Sequence, residues 1–198
     1  MNRPRYLTYA LSTLLKVVLV SLLSFEGFTQ RVDLALHQLP AALDTTTGEL
    51  TYIQVIDVPN TPASVLFDRA RSWCMDTFRS SKSVIDYEDK ASGVIAAKPL
   101  VYTKSRNGST AQRVVIDIRC KDGKYRCEVH PYEFTTTTLA TPVITPFRDF
   151  NLRIIEQIRQ KGRVAGWQFA HLQAMDAQFK AFLTSIEAAM KQPGKSEF

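Results

Sequence analysis

Histidine is scarce in this chain: His37, His130 and His171 are its three copies in 198 residues. No two stand close together and H-E-x-x-H does not occur, which removes the usual helical zinc site. There is no G-x-S-x-G elbow and no glycine-rich phosphate loop, so the local signatures of a serine hydrolase and of a nucleotide site are missing. Cysteine is equally rare, and its three copies, Cys74, Cys120 and Cys127, leave at least one thiol unpaired within a monomer. None precedes residue 74, which excludes a lipidated cysteine near the N-terminus. No close pair of cysteines occurs, so neither a metal nor another cofactor is expected. Acidic residues are nearly absent at the start, where Glu26 is the only one before residue 30.

What the N-terminus does contain is ordered. Arg3 and Arg5 open it, Lys16 precedes an apolar run from Val17 to Phe25, and Gly27, Phe28 and Thr29 follow. That order predicts a cleavable export signal over residues 1–29, with Gln30 as the new N-terminus. A retained anchor over residues 7–25 and a cytosolic helix are the alternatives, but in an anchor Lys16 within the span would cost about 3 kcal/mol. The expected location is therefore the periplasm or the cell exterior, with no stable transmembrane anchor after cleavage. Residues 1–29 hold three of the basic and one of the acidic side chains, leaving 22 and 18, a net of +4. A charge of that size serves solubility and names no partner.

Residues 30–47 read as a lead-in segment. Leu34, Leu36, Leu39 and Leu43 could cover an apolar edge, while Pro40 and Thr45-Thr46-Thr47-Gly48 favour a tether. A single domain over residues 48–192 follows, and residues 193–198 form a loose tail. Its first strand is expected at residues 49–58, with Ile53 and Val55 on one face and Tyr52, Ile56 and Val58 on the other. Two apolar faces suggest a central or covered strand. Thr61 is placed to cap a helix from Pro62 to about Arg79, with Ala63, Leu66, Phe67, Ala70, Trp73, Cys74 and Phe78 as its apolar stripe.

Four strands follow. Residues 83–89 set Ile85 and Tyr87 against Asp86 and Glu88, and Gly93 suits the loop that comes next. Residues 94–103 are disturbed by Pro99, which marks an edge or a bulge. Residues 111–120 alternate most clearly, with Val114, Ile116, Ile118 and Cys120 on one side. Lys121-Asp122-Gly123-Lys124 predicts a hairpin turn that does not set Cys120 opposite Cys127. Residues 125–134 return, with Tyr125, Cys127 and Val129 on one side. Thr135 to Thr138 could extend that strand, Pro142 and Pro146 interrupt regular structure, and residues 149–160 suit a short helix. A last helix from about Ala165 to Lys191 carries Leu172, Met175, Phe179, Phe182, Leu183, Ile186 and Met190 before Pro193-Gly194 stops it. The expected fold is α+β: strand, helix, four antiparallel strands and helix, with one curved sheet and both helices on one face.

That order, with Tyr52-Ile53-Gln54-Val55-Ile56, the segment Leu66 to Trp73, Phe78, Ser81 to Ile85, Asp89-Lys90, Gly93-Val94-Ile95 and Lys121 to Arg126, resembles a family of exported bacterial proteins. The family is domain of unknown function 4468, described as having a TBP-like fold. The resemblance covers roughly residues 48–135. It implies the sheet-and-helix architecture and an envelope or secreted setting, and it implies no chemistry. Nucleic acid is not an expected partner, because the basic residues are interspersed with acids.

The candidate site residues are modest. His130 could meet Asp117 or Glu128 in three dimensions, and Asp86, Glu88 and Asp89 do not follow a calcium-loop spacing. Lys121, Lys124, Arg126, Arg113 and Arg119 could form a basic patch for anionic envelope components, or simply a wet strand face. Asn107-Gly108-Ser109 matches a glycosylation acceptor. No residue is assigned a catalytic, cofactor or metal role. The reading is a non-enzymatic exported domain that binds a protein or other envelope or extracellular macromolecule, which an exposed apolar patch or a free edge near Pro99 would support. The alternative is a small ligand between the sheet and the last helix, against Trp73, Phe179 and Phe182. A hydrolase with a spatially assembled site is the third.

Overall fold

The computed structural model describes residue 16 and residues 26–78, 84–105, 108–138, 141–164 and 166–192. The body of the export signal, Arg79 at the expected helix end, Ser81 to Ser83, Asn107, Ala165 and the tail at 193–198 lie outside the described residues. In chain order there are a helical stretch over 26–37 (α1), β1 (Tyr52–Asp57), α2 (Ala63–Thr77), β2 (Ile85–Asp89), β3 (Val94–Ala97), β4 (Leu100–Ser105), β5 (Gly108–Lys121), β6 (Lys124–Thr138), β7 (Thr141–Pro146), α3 (Phe147–Lys161) and α4 (Gly166–Met190). The architecture is α+β, with the helices packed on an antiparallel sheet.

The alternation read in residues 111–120 belongs to a longer strand. β5 and β6 pair from Lys121↔Lys124 to Ala111↔Thr135 and run through the whole sheet. Toward the hairpin tip β6 is flanked by β1, and β5 by β3 and then β2. Toward the far end β5 is flanked by β4, and β6 by β7. The two halves meet where β3 gives way to β4 at Lys98-Pro99, beside a register shift between Arg113 and Val114. Pro99 has no N–H to give the ladder, but its carbonyl accepts from the Val114 N–H at 3.1 Å. Pro142 and Pro146 do not interrupt regular structure as expected; they lie in β7, which pairs with β6 alone, and an edge strand tolerates proline.

Val114, Ile116, Ile118, Cys120, Tyr125, Cys127 and Val129 are all buried on one side of the hairpin. α2 packs on them with Leu66, Phe67, Ala70, Trp73 and Cys74, and α4 lies beside α2 over β4 and β1, burying Leu172, Met175, Phe179, Ile186 and Met190. α3 begins at Phe147, two residues ahead of expectation, and sets Phe147 and Phe150 against Phe134. Residues 30–47 are packed rather than free: α1 buries Ala35, and Leu39 and Leu43 reach the same core. Leu43 bridges Leu50, and the Ala42 carbonyl accepts the Thr51 N–H at 3.2 Å.

Two local expectations fail for non-local reasons. Thr61 does not cap α2; its hydroxyl turns back to the Pro59 carbonyl. The first amide of the helix, on Ala63, instead donates to Asp122 Oδ1 at 2.8 Å, from the tip of the β5–β6 hairpin. Gly123, at φ 75°, completes that tip. Its N–H donates to the Thr61 carbonyl at 2.9 Å and its carbonyl accepts from Val58 at 2.7 Å. Tyr87 does not share a face with Ile85, because a bulge at Asp86 pairs Ile85 with Ala97 but Tyr87 with Ala96.

His171 is buried among Phe134 and Phe150 with neither ring nitrogen hydrogen-bonded to a described residue. Burial holds its pKa below the ordinary 6.5.

Asp122→Ala removes the acceptor for Ala63 and should lower stability by about 1 kcal/mol, seen as a lower urea midpoint at unchanged slope. As pH falls through the unfolded value of 6.5, the unfolded chain takes up a proton that folded His171 refuses. Stability should therefore be full above that value and decline below it, and His171→Leu should flatten the decline between about pH 7 and 5. Urea titrations across that window check this.

Candidate functional site

The helices cover one face of the sheet, and the other face has no covering element among the described residues. Across it, Ile53, Glu128, Asp117, Ala96 and Tyr87 stand in one row. Val55, Arg126, Arg119, Val94 and Asp89 stand in the next. The middle of the face is charged, with acids in the first row and bases in the second. Asp117 and Glu128 lie directly opposite each other, an arrangement that would repel. Arg126 Nη2 offsets it at 2.6 Å from Glu128 Oε2.

Exposed apolar side chains on this face include Ile53 and Val55 at the β1 end and Tyr87 at the β2 end. Ile53 is 56% exposed and Val55 60%, although the apolar content of both faces had suggested a covered strand. Among the described residues β1 is the terminal strand and pairs with β6 alone. Its backbone follows from the register. The Val58 N–H donates to the Gly123 carbonyl, so in an antiparallel ladder Tyr52, Gln54 and Ile56 also turn their amides and carbonyls toward β6. Thr51, Ile53, Val55 and Asp57 turn theirs the other way. Thr51 finds the Ala42 carbonyl, whereas the outward groups of Ile53, Val55 and Asp57 meet no described partner.

The other edges are guarded. β2 is bulged and acidic, β7 carries Pro142 and Pro146, and β4 carries Lys104 and lies against α4. Pro99 is buried with its carbonyl engaged, so the free edge lies at β1 and not near Pro99. Nothing in the residue pattern of 49–58 marks the strand as an edge; position in the sheet decides it.

The remaining candidates do not assemble into a reactive centre. His130 shares the open face with Asp117 and Glu128, opposite Val115, and no hydrogen bond joins it to either acid. His37 is exposed and His171 lies in the core. Asp86 pairs with Lys98 and Glu88 with Arg71, each at 2.8 Å. Asp89 accepts from Ser92 and Ala91 of its own loop, which lowers its pKa. Among the described residues no three His, Cys, Asp or Glu side chains are grouped to hold a metal. Arg113 and Arg126 of the suggested basic patch are paired to Glu133 and Glu128.

All three thiols are free and buried, and burial pushes each up to about 12, so they stay protonated and inert at neutral pH. The space proposed for a small ligand is filled. Trp73 packs on Phe78, Phe78 on Phe182, Phe182 on Phe179 and Phe179 on Tyr52, with ring centroids 5.4 to 6.0 Å apart. The Trp73 indole N–H donates to Ser185 Oγ at 2.9 Å, and Tyr52 donates to Asp176 Oδ1 at 2.8 Å. Open clefts of about 430 and 340 Å³ lie elsewhere, at the Asn60–Pro62 loop and between α1 and the α3–α4 turn. Among the described residues no helix is long and apolar enough to cross a membrane.

Residues 52–135 match the model of a family described as a domain of unknown function (DUF4468) with TBP-like fold. The chain is similar in structure to a TBP-like protein from Parabacteroides distasonis, with 13% identity and a TM-score of 0.62 over 76% of this chain and 98% of that one. It is also similar to a DUF4468 family protein from Bacteroides ovatus, with 15% identity and a TM-score of 0.58 over 82% of this chain and 98% of that one. Likeness at such identities is a likeness of fold. No curated protein matches the chain. Over residues 52–135, from β1 to the middle of β6, the chain matches the DUF4468 family model, and it has the TBP-like fold of these structures.

Proposed function

We propose that this chain is an exported, non-enzymatic binding domain that takes an extended segment of an envelope or extracellular macromolecule onto the β1 edge. The observation that carries this reading is the coincidence of two free surfaces at the same residues. Ile53 and Val55 have outward backbone groups without a described partner, and their side chains are more than half exposed. A segment added there gains ladder hydrogen bonds from the backbone and apolar contact from the open face. The mixed charge beside the edge, with Glu128 and Asp117 next to Arg126 and Arg119, suits a protein surface better than a polyanion. The basic start and apolar run of residues 1–29 support an envelope or extracellular setting.

Val55→Pro tests the reading, because the Val55 N–H points away from β6 and its loss spares the existing ladder. The full chain and this variant are purified in parallel from native envelopes. A macromolecule that accompanies the parent chain should be depleted at least about tenfold with the variant, a loss near 1.4 kcal/mol of binding. An unchanged circular dichroism spectrum would show that the fold survives. Equal recovery with both chains, or no accompanying macromolecule, would defeat the proposal.

A further inference from the structure

The segment Thr51-Tyr52-Ile53-Gln54-Val55-Ile56-Asp57 reads the same in polarity from either end: polar, apolar, apolar, polar, apolar, apolar, polar. A symmetric two-copy contact requires a surface complementary to itself, and an antiparallel strand pair about a central residue is the simplest such surface. We propose that β1 pairs with β1 of a second copy, antiparallel, about a two-fold axis at Gln54. This rests on the reading of β1 as an open docking edge and names its occupant.

The register follows from the outward groups. With Gln54 opposite its own mate, Ile53 lies opposite Val55 of the other copy and Val55 opposite its Ile53. These are the residues whose amides and carbonyls face outward, so they form the hydrogen-bonded pairs and Gln54 a non-hydrogen-bonded one. Ile53 and Val55, now 56% and 60% exposed, would bury against each other on the open face. The competing register centred on Val55 sets Ile53 against Asp57 and leaves an apolar side chain beside a charge. The Thr51 N–H, held by the Ala42 carbonyl at 3.2 Å, closes one end of the slot, and Pro59 closes the other. The usable edge is therefore the short palindromic segment itself.

Sedimentation of the full chain, as the expressing cell processes it, tests this over about 1 to 100 μM. The expected result is a doubled mass that rises with concentration and falls to the single mass in Ile53→Lys. That lysine would face Glu128, so the monomer should keep its spectrum. Val55→Lys is the second variant, should the first fold poorly. Gln54→Cys should cross-link to its mate under mild oxidation, since non-hydrogen-bonded partners stand about 4.5 Å apart at Cα, within disulfide reach. Val55→Cys should not, and the native thiols are buried.

A single mass at every concentration without cross-linking, a doubled mass that survives both lysine variants, or cross-linking through position 55 alone would overturn the proposal. A single-mass chain that still carries another macromolecule, lost in Val55→Pro, would overturn self-pairing and leave the docking edge standing. A single mass with no such macromolecule would remove both.

Discussion

The alternation of side chains along β5 and β6 is the constraint on which the rest of the molecule depends. Because Ile116, Ile118, Cys127 and Val129 all fall on one side, only that side can draw helices by burying apolar surface. α2, α3 and α4 gather there, together with Leu39 and Leu43 of the segment after α1. The opposite side receives Asp117, Arg119, Arg126 and Glu128, whose charges cannot be covered cheaply. The asymmetry that builds the core is the same asymmetry that leaves a face open.

The open face acquires a direction from its edges. Three of the boundary strands carry features that discourage further pairing: a bulge with acids in β2, prolines in β7, and Lys104 with a helix beside it in β4. β1 carries none of these at Ile53 and Val55. A free strand edge in a folded protein is ordinarily a hazard, so an unguarded one beside three guarded ones calls for an occupant. Tyr52 and Gln54 tie β1 to α4 from below, through Asp176 and Glu187.

Much of this fold can be read from the residues because the signals are local and periodic. Val114 to Cys120 announce a half-buried strand, Asp122-Gly123 a tight turn, and Leu172 to Met190 a buried helix stripe. What cannot be read is decided by distant partners. Thr61 has the chemistry of a cap, yet Asp122 takes the position from 59 residues away. Pro142 and Pro146 look like breakers until the strand carrying them proves to be an edge. Ile53 and Val55 look like core residues, since side-chain apolarity alone does not distinguish a central strand from a terminal one. The candidate site was hidden for that reason. It consists of what the remaining chain leaves uncovered, and no residue in it is chemically unusual.

The junction of Asp122 and Gly123 with Thr61, Ala63 and Val58 has a consequence for how the chain reaches this state. The start of α2 and the end of β1 are tied off by a turn some sixty positions downstream. Closing so large a loop is entropically slow, and the contact cannot stabilise anything until the hairpin exists. The hairpin, whose pairing is local in the chain, is expected to form ahead of that contact. The helix written earlier in the chain waits for it to acquire a finished first turn.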